Sequence, residues 1–245
     1  YFLPETLASQ CPDLTLLAAK YHNEVKFPPL PTTLTSLTLN RVQSIEYVTY
    51  ASEIPSLTFL KLEFRSPHLN PAYKWPVFPP SLKTLELLHA TSPPNDFFRD
   101  LPRSLTSLTF ATSDGWDGDA LLGTLPPALT DLTLLPRIHI QGANQEEALL
   151  AFLEQLPPQI EVVNQLPALP RPLAGKSAFQ RLPRFLRFLS ISISDEVPAN
   201  FEYLPRTLET VVLSTKVHLN DETLGFLPPV TRKIECDLSA VNNAR

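Results

Sequence analysis

The side chains that could do chemistry are few and widely spaced in this chain of 245 residues. The five histidines, at positions 22, 68, 89, 139 and 218, form no His-x3-His pair and lie apart from the cysteines. A zinc site needs several ligands at close spacing. Six scattered glycines provide no phosphate-binding loop, and no Gly-x-Ser-x-Gly nucleophile turn occurs. We therefore expect no catalytic residue, no metal and no cofactor in this segment.

One cluster of carboxylates remains, in Ser113–Asp119, where Asp114, Asp117 and Asp119 surround Trp116. Clustered carboxylates can bind calcium, but this spacing differs from that of an EF-hand loop. A solvated turn whose exposed tryptophan could anchor a partner explains the same residues. That interpretation requires no metal ion, and we favour it.

The charge and the cysteines narrow the class of protein. A formal charge of -5 and a pI near 5.6 argue against a nucleic-acid partner, which usually meets a basic face. No run of eighteen uncharged apolar residues appears, so we expect no membrane partner. Cys11 and Cys236 lie near opposite ends of the chain, and in an elongated protein they would be too far apart for an internal disulfide. This favours a reducing cytoplasmic or nuclear location. The chain contains no Met, so we expect a piece of a longer polypeptide.

Proline is the residue type that organises the chain, with 27 copies against six glycines. Proline fixes φ and cannot donate a backbone hydrogen bond, so it ends a helix just before it. An apolar-proline pair repeatedly opens a unit close to Leu-Pro-x-x-Leu-x-x-Leu-x-Leu. Clear copies start at Leu30, Phe78, Leu101, Leu125, Leu182 and Leu204, and weaker ones at Cys11, Ile54, Leu156 and Leu227.

The second leucine of Leu-x-x-Leu-x-Leu marks the phase of each copy. Successive markers are separated by 20 to 31 residues, by subtraction of their positions. Periods of about 20 to 29 residues with this spacing are typical of one repeat architecture, the leucine-rich repeat. The markers are Leu17, Leu37, Leu60, Leu85, Leu108, Leu132, Val163, Leu189, Val211 and Ile234.

The pattern predicts the fold. In Leu-x-Leu the two apolar side chains point to one face of a short strand, and one unit alone cannot bury that face. Stacked units share a continuous core. We therefore predict one domain over residues 1–245, an α/β solenoid shaped as a leucine-rich-repeat horseshoe. About ten short parallel strands would line its concave face, with short helices and irregular turns on the convex face.

Two irregularities interrupt the pattern. The longest step, from Leu132 to Val163, contains a helix-like stretch at Glu146–Gln155. The next step contains the proline-rich Leu166–Gly175, which predicts an extended crossing or a bulge at the edge of a repeat. Such irregular segments often carry contacts, although drift in a tolerant solenoid produces them too.

The repeat resembles those of leucine-rich-repeat proteins over roughly Cys11 to Leu238. Leu-Pro-x-Ser/Thr-Leu-x-x-Leu is similar to the short repeats of bacterial effectors and of slime-mould FNIP proteins. The first copy, Cys11-Pro12-Asp13-Leu14-Thr15-Leu16-Leu17, is similar to units of F-box leucine-rich-repeat proteins. The Asn that follows the strand in the common repeat is missing, since Val42 and Ala90 are among the residues at that position. The turns must therefore be satisfied differently.

The side chains beside each phase marker point away from the core and form the predicted partner-binding face. Many are small hydroxyl residues, which suit a strand whether or not it binds anything. The apolar members are better explained by a partner that covers them. The candidates are Phe59, Lys61, Glu63, Thr84, Glu86, Leu88, Ser107, Thr109, Asp131, Thr133, Leu135, Phe188 and Ser190.

Three hypotheses fit these residues: two binding functions, given next, and a purely structural array with no specific ligand. The first is a scaffold that binds a partner protein on the concave face, which the resemblance extends to the substrate-recognition part of an F-box-type ubiquitin ligase adaptor. The second is a recognition module attached to a catalytic domain outside this segment, such as an effector-type ubiquitin ligase. Cys236-Asp237-Leu238 departs from the Cys-x-Asp of those ligases, so the segment itself is not expected to be an enzyme.

Overall fold

The computed structural model describes residues 10–20, 29–42, 49–65, 77–90, 97–112, 125–135, 145–169, 176–193, 201–213 and 225–236. Its helices are α1 (Thr49–Ser52), α2 (Gln145–Gln155) and α3 (Lys176–Phe179), with one 3₁₀ helix at Phe201–Tyr203. Its strands are β1 (Leu16–Lys20), β2 (Ser36–Val42), β3 (Phe59–Phe64), β4 (Thr84–Ala90), β5 (Ser107–Thr112), β6 (Asp131–Leu135), β7 (Val162–Leu169), β8 (Phe188–Ile193), β9 (Thr210–Leu213) and β10 (Lys233–Cys236).

The ten strands form one parallel sheet in chain order, so each strand pairs with the next along the sequence. The predicted phase markers align across the whole sheet: Leu17 pairs with Leu37, and the pairing continues without a slip to Val211 and Ile234. The predicted solenoid with about ten parallel strands is confirmed.

The core lies on one face of the sheet because apolar residues alternate along each strand. In β3, for example, Leu60 and Leu62 are fully buried while Lys61 and Glu63 are half-buried. Aromatic residues from the segment after β4 widen this core, where the ring of Phe97 meets that of Phe98 edge to face at 5.1 Å. The Phe97 ring also contacts Phe110 of β5, at 5.8 Å.

A tight turn leads into every strand. The backbone N–H of the buried leucine donates to the carbonyl three residues earlier, as from Leu105 to Pro102 and from Leu208 to Pro205. This is the hydrogen bond of a β-turn, and proline at its start or second position restricts the chain to the required φ. The Leu-Pro pair therefore forms the turn that leads into the strand, and its proline also ends any helix that precedes it.

The carbonyl of the residue directly after this turn joins each repeat to the next one. The carbonyl oxygen of the residue after the buried leucine accepts two N–H groups from the following repeat. The oxygen of Thr106, for example, accepts from Thr130 at 2.8 Å and from Asp131 at 3.0 Å. We call this arrangement the carbonyl fork. It occurs at all nine junctions between the ten described strands, with N···O distances of 2.7 to 3.2 Å.

Hydroxyl groups reinforce the turns in the place of the missing asparagines. The residue just before the buried leucine donates its hydroxyl to carbonyls of the preceding turn. Ser104 lies 2.6 Å from the oxygen of Pro80 and 2.7 Å from that of Leu82, a shared hydrogen bond. The same position forms the turn ladder, which consists of Thr33, Ser56, Ser81, Ser104 and Thr207.

Two of the residues at the asparagine position, Val42 and Ala90, are apolar and buried in the core. An amide there would need hydrogen-bond partners that this core does not offer. In the described part of the chain, the turns before the strands carry side-chain hydrogen bonds.

The residue after the buried leucine, which supplies the fork carbonyl, also has a side chain that can contact the neighbouring repeat. In the N-terminal half these residues are threonines except at Lys83, and Thr35, Thr58 and Thr130 each donate a hydroxyl to the fork carbonyl of the repeat before. In the C-terminal half they are charged. There the Arg187 guanidinium lies 3.7 Å from Glu161 and 2.9 Å from Glu209, so three successive repeats are joined by ion pairs.

The two irregular steps are resolved in part. The predicted helix at Glu146–Gln155 is present as α2. Leu166–Leu169, the start of the proline-rich stretch, is the end of β7 rather than a separate crossing, and residues 170–175 lie outside the described residues. The predicted bulge is present, since the register of β7 against β8 shifts between Val163 and Leu166, where Gln165 has a φ of 60°.

The turn ladder gives a prediction for stability. We expect Ser104→Ala to lower the free energy of unfolding by about 1 kcal/mol, because two carbonyls lose their shared donor. Ala128 occupies the same position and has no hydroxyl, so Ala128→Ser should raise it by about 0.5–1 kcal/mol. Both values are measured by urea denaturation followed by circular dichroism.

The matched control is Ser107→Ala. Ser107 lies on the strand three residues later, and its hydroxyl makes no hydrogen bond within the described residues. We expect this substitution to leave the unfolding midpoint nearly unchanged. Equal losses from Ser104→Ala and Ser107→Ala would show that the ladder does not stabilise the solenoid.

Candidate functional site

The strand face is the surface formed by side chains of the ten strands that point away from the core. Register places these side chains in rows that cross the sheet. The first row runs from Leu16 through Phe59, Asp131 and Phe188 to Lys233, with one member per strand. Each row is thus a line of side chains roughly 4.8 Å apart.

The second row contains the polar pair at the centre of the predicted site. Lys61 and Glu86 are register partners on β3 and β4, and the Lys61 Nζ lies 2.8 Å from the Glu86 Oε2. Their side chains are 32% and 26% exposed, so the pair is partly shielded from water. Two candidates chosen separately from the sequence are therefore one ion pair.

Most of the predicted candidates lie on this face and are half-buried there. They are neither packed into the core nor fully exposed, which is the state of a residue that touches its row neighbours and still presents surface. This describes Phe59, Lys61, Glu63, Thr84, Glu86, Leu88, Ser107, Thr109, Asp131, Thr133 and Phe188.

Two candidates differ from the rest. Ser190 was predicted to be exposed, and this is wrong, since it is only 4% exposed. On β8 it lies between Leu189 and Ile191, opposite the register shift between Val163 and Leu166 of β7. Leu135 lies in β6, but its side chain is outside the described residues.

Sequence reasoning missed several members of the face, and Leu16 is the most exposed large apolar residue among them. It lies at the start of the first row and is 63% exposed, more than the other large apolar side chains of the described strands. The signal was present in the sequence, because Leu16 directly precedes the phase marker Leu17. It was overlooked because the weak first copy resembles a run of core leucines.

The described residues contain no group of three or more His, Cys, Asp or Glu side chains placed to hold a metal ion. Cys11 is a free, exposed thiol at the first turn. The acidic cluster Ser113–Asp119 falls outside the described residues, so its interpretation as a solvated turn stays a prediction. No helix in the described part of the chain has the length and apolar character needed to cross a membrane.

The ion pair gives a prediction of modest size. In a double-mutant cycle of Lys61→Ala and Glu86→Ala, we expect a coupling of about 0.2–1 kcal/mol, small because both groups still reach solvent. The coupling should shrink in molar salt, which screens charges that are accessible to ions. Urea denaturation of the four proteins at low and high salt measures it. A coupling that is unaffected by salt would contradict an electrostatic origin.

Comparisons with known proteins agree with this architecture. No family model matches the chain, and no curated protein matches it. The leucine-rich-repeat-containing protein LegL7 from Legionella pneumophila has a similar structure, with 17% identity and a TM-score of 0.50 over 94% of this chain and 84% of that one. Human 5T4 (Wnt-activated inhibitory factor 1, trophoblast glycoprotein) is similar with 19% identity and a TM-score of 0.52 over 91% of this chain and 77% of that one.

A third structure, the circular leucine-rich-repeat protein CroV588, matches with 18% identity and a TM-score of 0.49. The match covers 92% of this chain and 34% of that chain, so this chain spans about a third of its length. At 17% and 19% identity, the similarity to LegL7 and 5T4 concerns the fold. Together with the ten register-aligned strands, these two structures show that the chain has the fold of leucine-rich-repeat proteins.

Proposed function

We propose that this domain is an interaction scaffold that binds a partner protein on its strand face. The observation that carries the proposal is the composition of the first row. Phe59 on β3 and Phe188 on β8 are half-buried aromatic residues, and three of the four row members between them are polar. Aromatic residues that keep accessible surface are frequent anchors of protein interfaces.

The spacing of these aromatic residues defines the footprint. Phe59 and Phe188 are five strand spacings apart in one row, which is roughly 24 Å. A segment of extended chain covers that distance with about seven residues. Thr84, Ser107, Asp131 and Val162 lie between the two aromatic residues, and the first three offer hydroxyl and carboxylate groups to the segment. A protein segment can supply both the apolar side chains that cover the two aromatic residues and the polar groups that meet the residues between them.

The second row supports the same footprint. The Lys61–Glu86 ion pair lies next to Phe59, since Lys61 follows it by two positions on β3. Each member of the pair holds the other in place before any partner arrives. A preordered charged pair beside an aromatic anchor loses little side-chain entropy on binding, which favours affinity.

The test is capture of partner proteins by the immobilised chain. The wild-type protein and the variant Phe59→Ala/Glu86→Ala/Phe188→Ala are incubated with lysate, and bound proteins are quantified by mass spectrometry. We expect proteins enriched by the wild type to be lost at least about tenfold on the variant, since anchor truncation costs more than about 1.4 kcal/mol. Each captured protein is then purified and its affinity for both chains is measured.

The matched control carries three substitutions away from the strand face: Val77→Ala, Glu202→Ala and Phe226→Ala. These side chains are also apolar or acidic, and they are exposed. The control should retain every partner that the strand-face variant loses. Equal retention by both variants, or no enriched protein, would overturn the proposal.

The finer form of the proposal is that the domain is the substrate-recognition part of an F-box-type ubiquitin ligase adaptor. It rests on the first copy, Cys11–Leu17, whose Cys-Pro-Asp-Leu residues make the predicted turn through the Leu14 N–H and the Cys11 carbonyl. The experiment is co-purification of the parent protein with the ligase subunit that binds F-box motifs. Ubiquitination of the strand-face partner that depends on that complex would support it. A catalytic domain found elsewhere in the parent chain would favour the alternative, a recognition module beside an enzyme.

A further inference from the structure

The turn ladder is interrupted in the middle of the chain, and the interruption has a distinct chemistry. Its three positions there hold Ala128, Gln159 and Phe185 in consecutive repeats, with hydroxyl residues before and after them. None of the three supplies the hydroxyl that joins turns elsewhere. In these three repeats, therefore, no ladder hydroxyl donates a hydrogen bond to the carbonyls of the preceding turn.

Phe185 is the most unusual member of the interruption. It lies in the turn Pro183–Leu186 and is 63% exposed, although a buried leucine follows it directly. An aromatic ring that exposed costs hydrophobic free energy unless something covers it. Beside it in the ladder, the amide Nε2 of Gln159 is buried and has no hydrogen-bond partner. An aromatic ring and an unsatisfied donor thus lie in neighbouring turns.

Two arginines lie in the turn of Phe185 and in the next turn. Arg184 and Arg206 occupy the same position in consecutive turns, just before the ladder residue, and both are exposed. The hydroxyl of Thr207 lies 2.7 Å from the Arg184 carbonyl oxygen, so the two turns are in direct contact. Within the described residues neither guanidinium takes part in an ion pair. Two like charges on adjacent turns repel each other until an anion lies between them.

The neighbouring arginine behaves differently, which makes the contrast informative. Arg187 is three residues from Arg184 and is held between Glu161 and Glu209. The chain therefore supplies internal carboxylates for one arginine of this region and none, in its described part, for the two beside Phe185. Two arginines without an ion pair among the described residues stand out in a chain whose net charge is -5.

We infer that Phe185, Arg184 and Arg206 form a docking site for an acidic protein segment that places an apolar side chain on Phe185. Carboxylates of the segment pair with the two guanidinium groups, which bind planar anions through paired hydrogen bonds. An apolar side chain of the segment covers the aromatic ring. We call this surface the Phe185 patch. It lies on the turn edge, apart from the strand face, so it goes beyond the scaffold function proposed above.

Charge around the Phe185 patch favours an acidic peptide over a nucleic acid. Glu202 is exposed shortly before Arg206, and Glu161 and Glu209 lie near the patch beside Arg187. A nucleic acid carries a continuous line of phosphates, which would run past these carboxylates. A peptide can place its few carboxylates at the two arginines and apolar or neutral groups elsewhere.

The experiment measures binding of a defined probe to the whole chain by fluorescence anisotropy. The probe is a short fluorescein-labelled peptide with a central leucine flanked by aspartates and glutamates. Its comparison peptide carries asparagine and glutamine in their place. We expect the acidic peptide to bind at least about tenfold more tightly than the neutral one, because each guanidinium group forms charge-assisted hydrogen bonds with a carboxylate of the acidic peptide.

Two variants separate the role of the ring from that of the charges. Phe185→Ser removes the ring and restores a ladder hydroxyl facing the Pro158 and Ile160 carbonyls, so it should fold at least as stably as the wild type. Arg184→Glu/Arg206→Glu reverses both charges at exposed positions. Each should weaken binding of the acidic peptide about tenfold or more.

Arg103→Glu is the matched control, because Arg103 is exposed at the same position of an earlier repeat, beside the intact ladder residue Ser104. It should bind the acidic peptide like the wild type. The inference is overturned if the acidic peptide does not bind, or if it binds Phe185→Ser or the double arginine variant unchanged. It is also overturned if the neutral peptide binds equally, or if a single-stranded thymidine oligonucleotide binds more tightly than the acidic peptide.

Discussion

The carbonyl fork is the constraint on which the rest of the solenoid depends. At each junction one carbonyl oxygen uses both of its lone pairs to accept two N–H groups of the next repeat, as Arg187 does from Glu209 and Thr210. These two hydrogen bonds fix the spacing of adjacent repeats and the register of the strand that follows. The segments between forks can then vary in length without shifting the sheet. This is why the step of 31 residues from Leu132 to Val163 leaves those two residues paired in register.

Because the fork is made by backbone atoms, the side chains on either side of it are free to change. The residue that supplies the fork carbonyl is threonine in several N-terminal repeats and charged at Glu161, Arg187 and Glu209. Both chemistries reach the neighbouring repeat, by hydroxyl to carbonyl in one half and by carboxylate to guanidinium in the other. The turn ladder changes in the same region. Variation on the turn edge therefore carries little risk for the fold, and it is there that an exposed aromatic ring is tolerated.

The fold could be predicted from the sequence because a periodic signal that recurs ten times specifies both the strands and their register. The same signal could have predicted that Lys61 and Glu86 are neighbours, since both residues follow a phase marker by one position. Ser190 was not, because its burial depends on the bulge in β7, which breaks the alternation that the prediction assumed. The turn ladder was missed for another reason. A serine such as Ser104 reveals its role only when the carbonyls of the preceding turn are placed beside it.

The eighth repeat contributes to both proposed surfaces. Phe185 lies on its turn edge and Phe188 on its strand face, and between them stand the fully buried Leu186 and the ion-paired Arg187. Leu186 is fixed by the core, and Arg187 is fixed by carboxylates of the repeats on either side. Neither residue has freedom to transmit a change from one aromatic side chain to the other. Substitutions at Phe185 and Phe188 should therefore act independently, as expected for sites that share no mobile partner. One rigid repeat can in this way present two separate anchors, each facing its own partner.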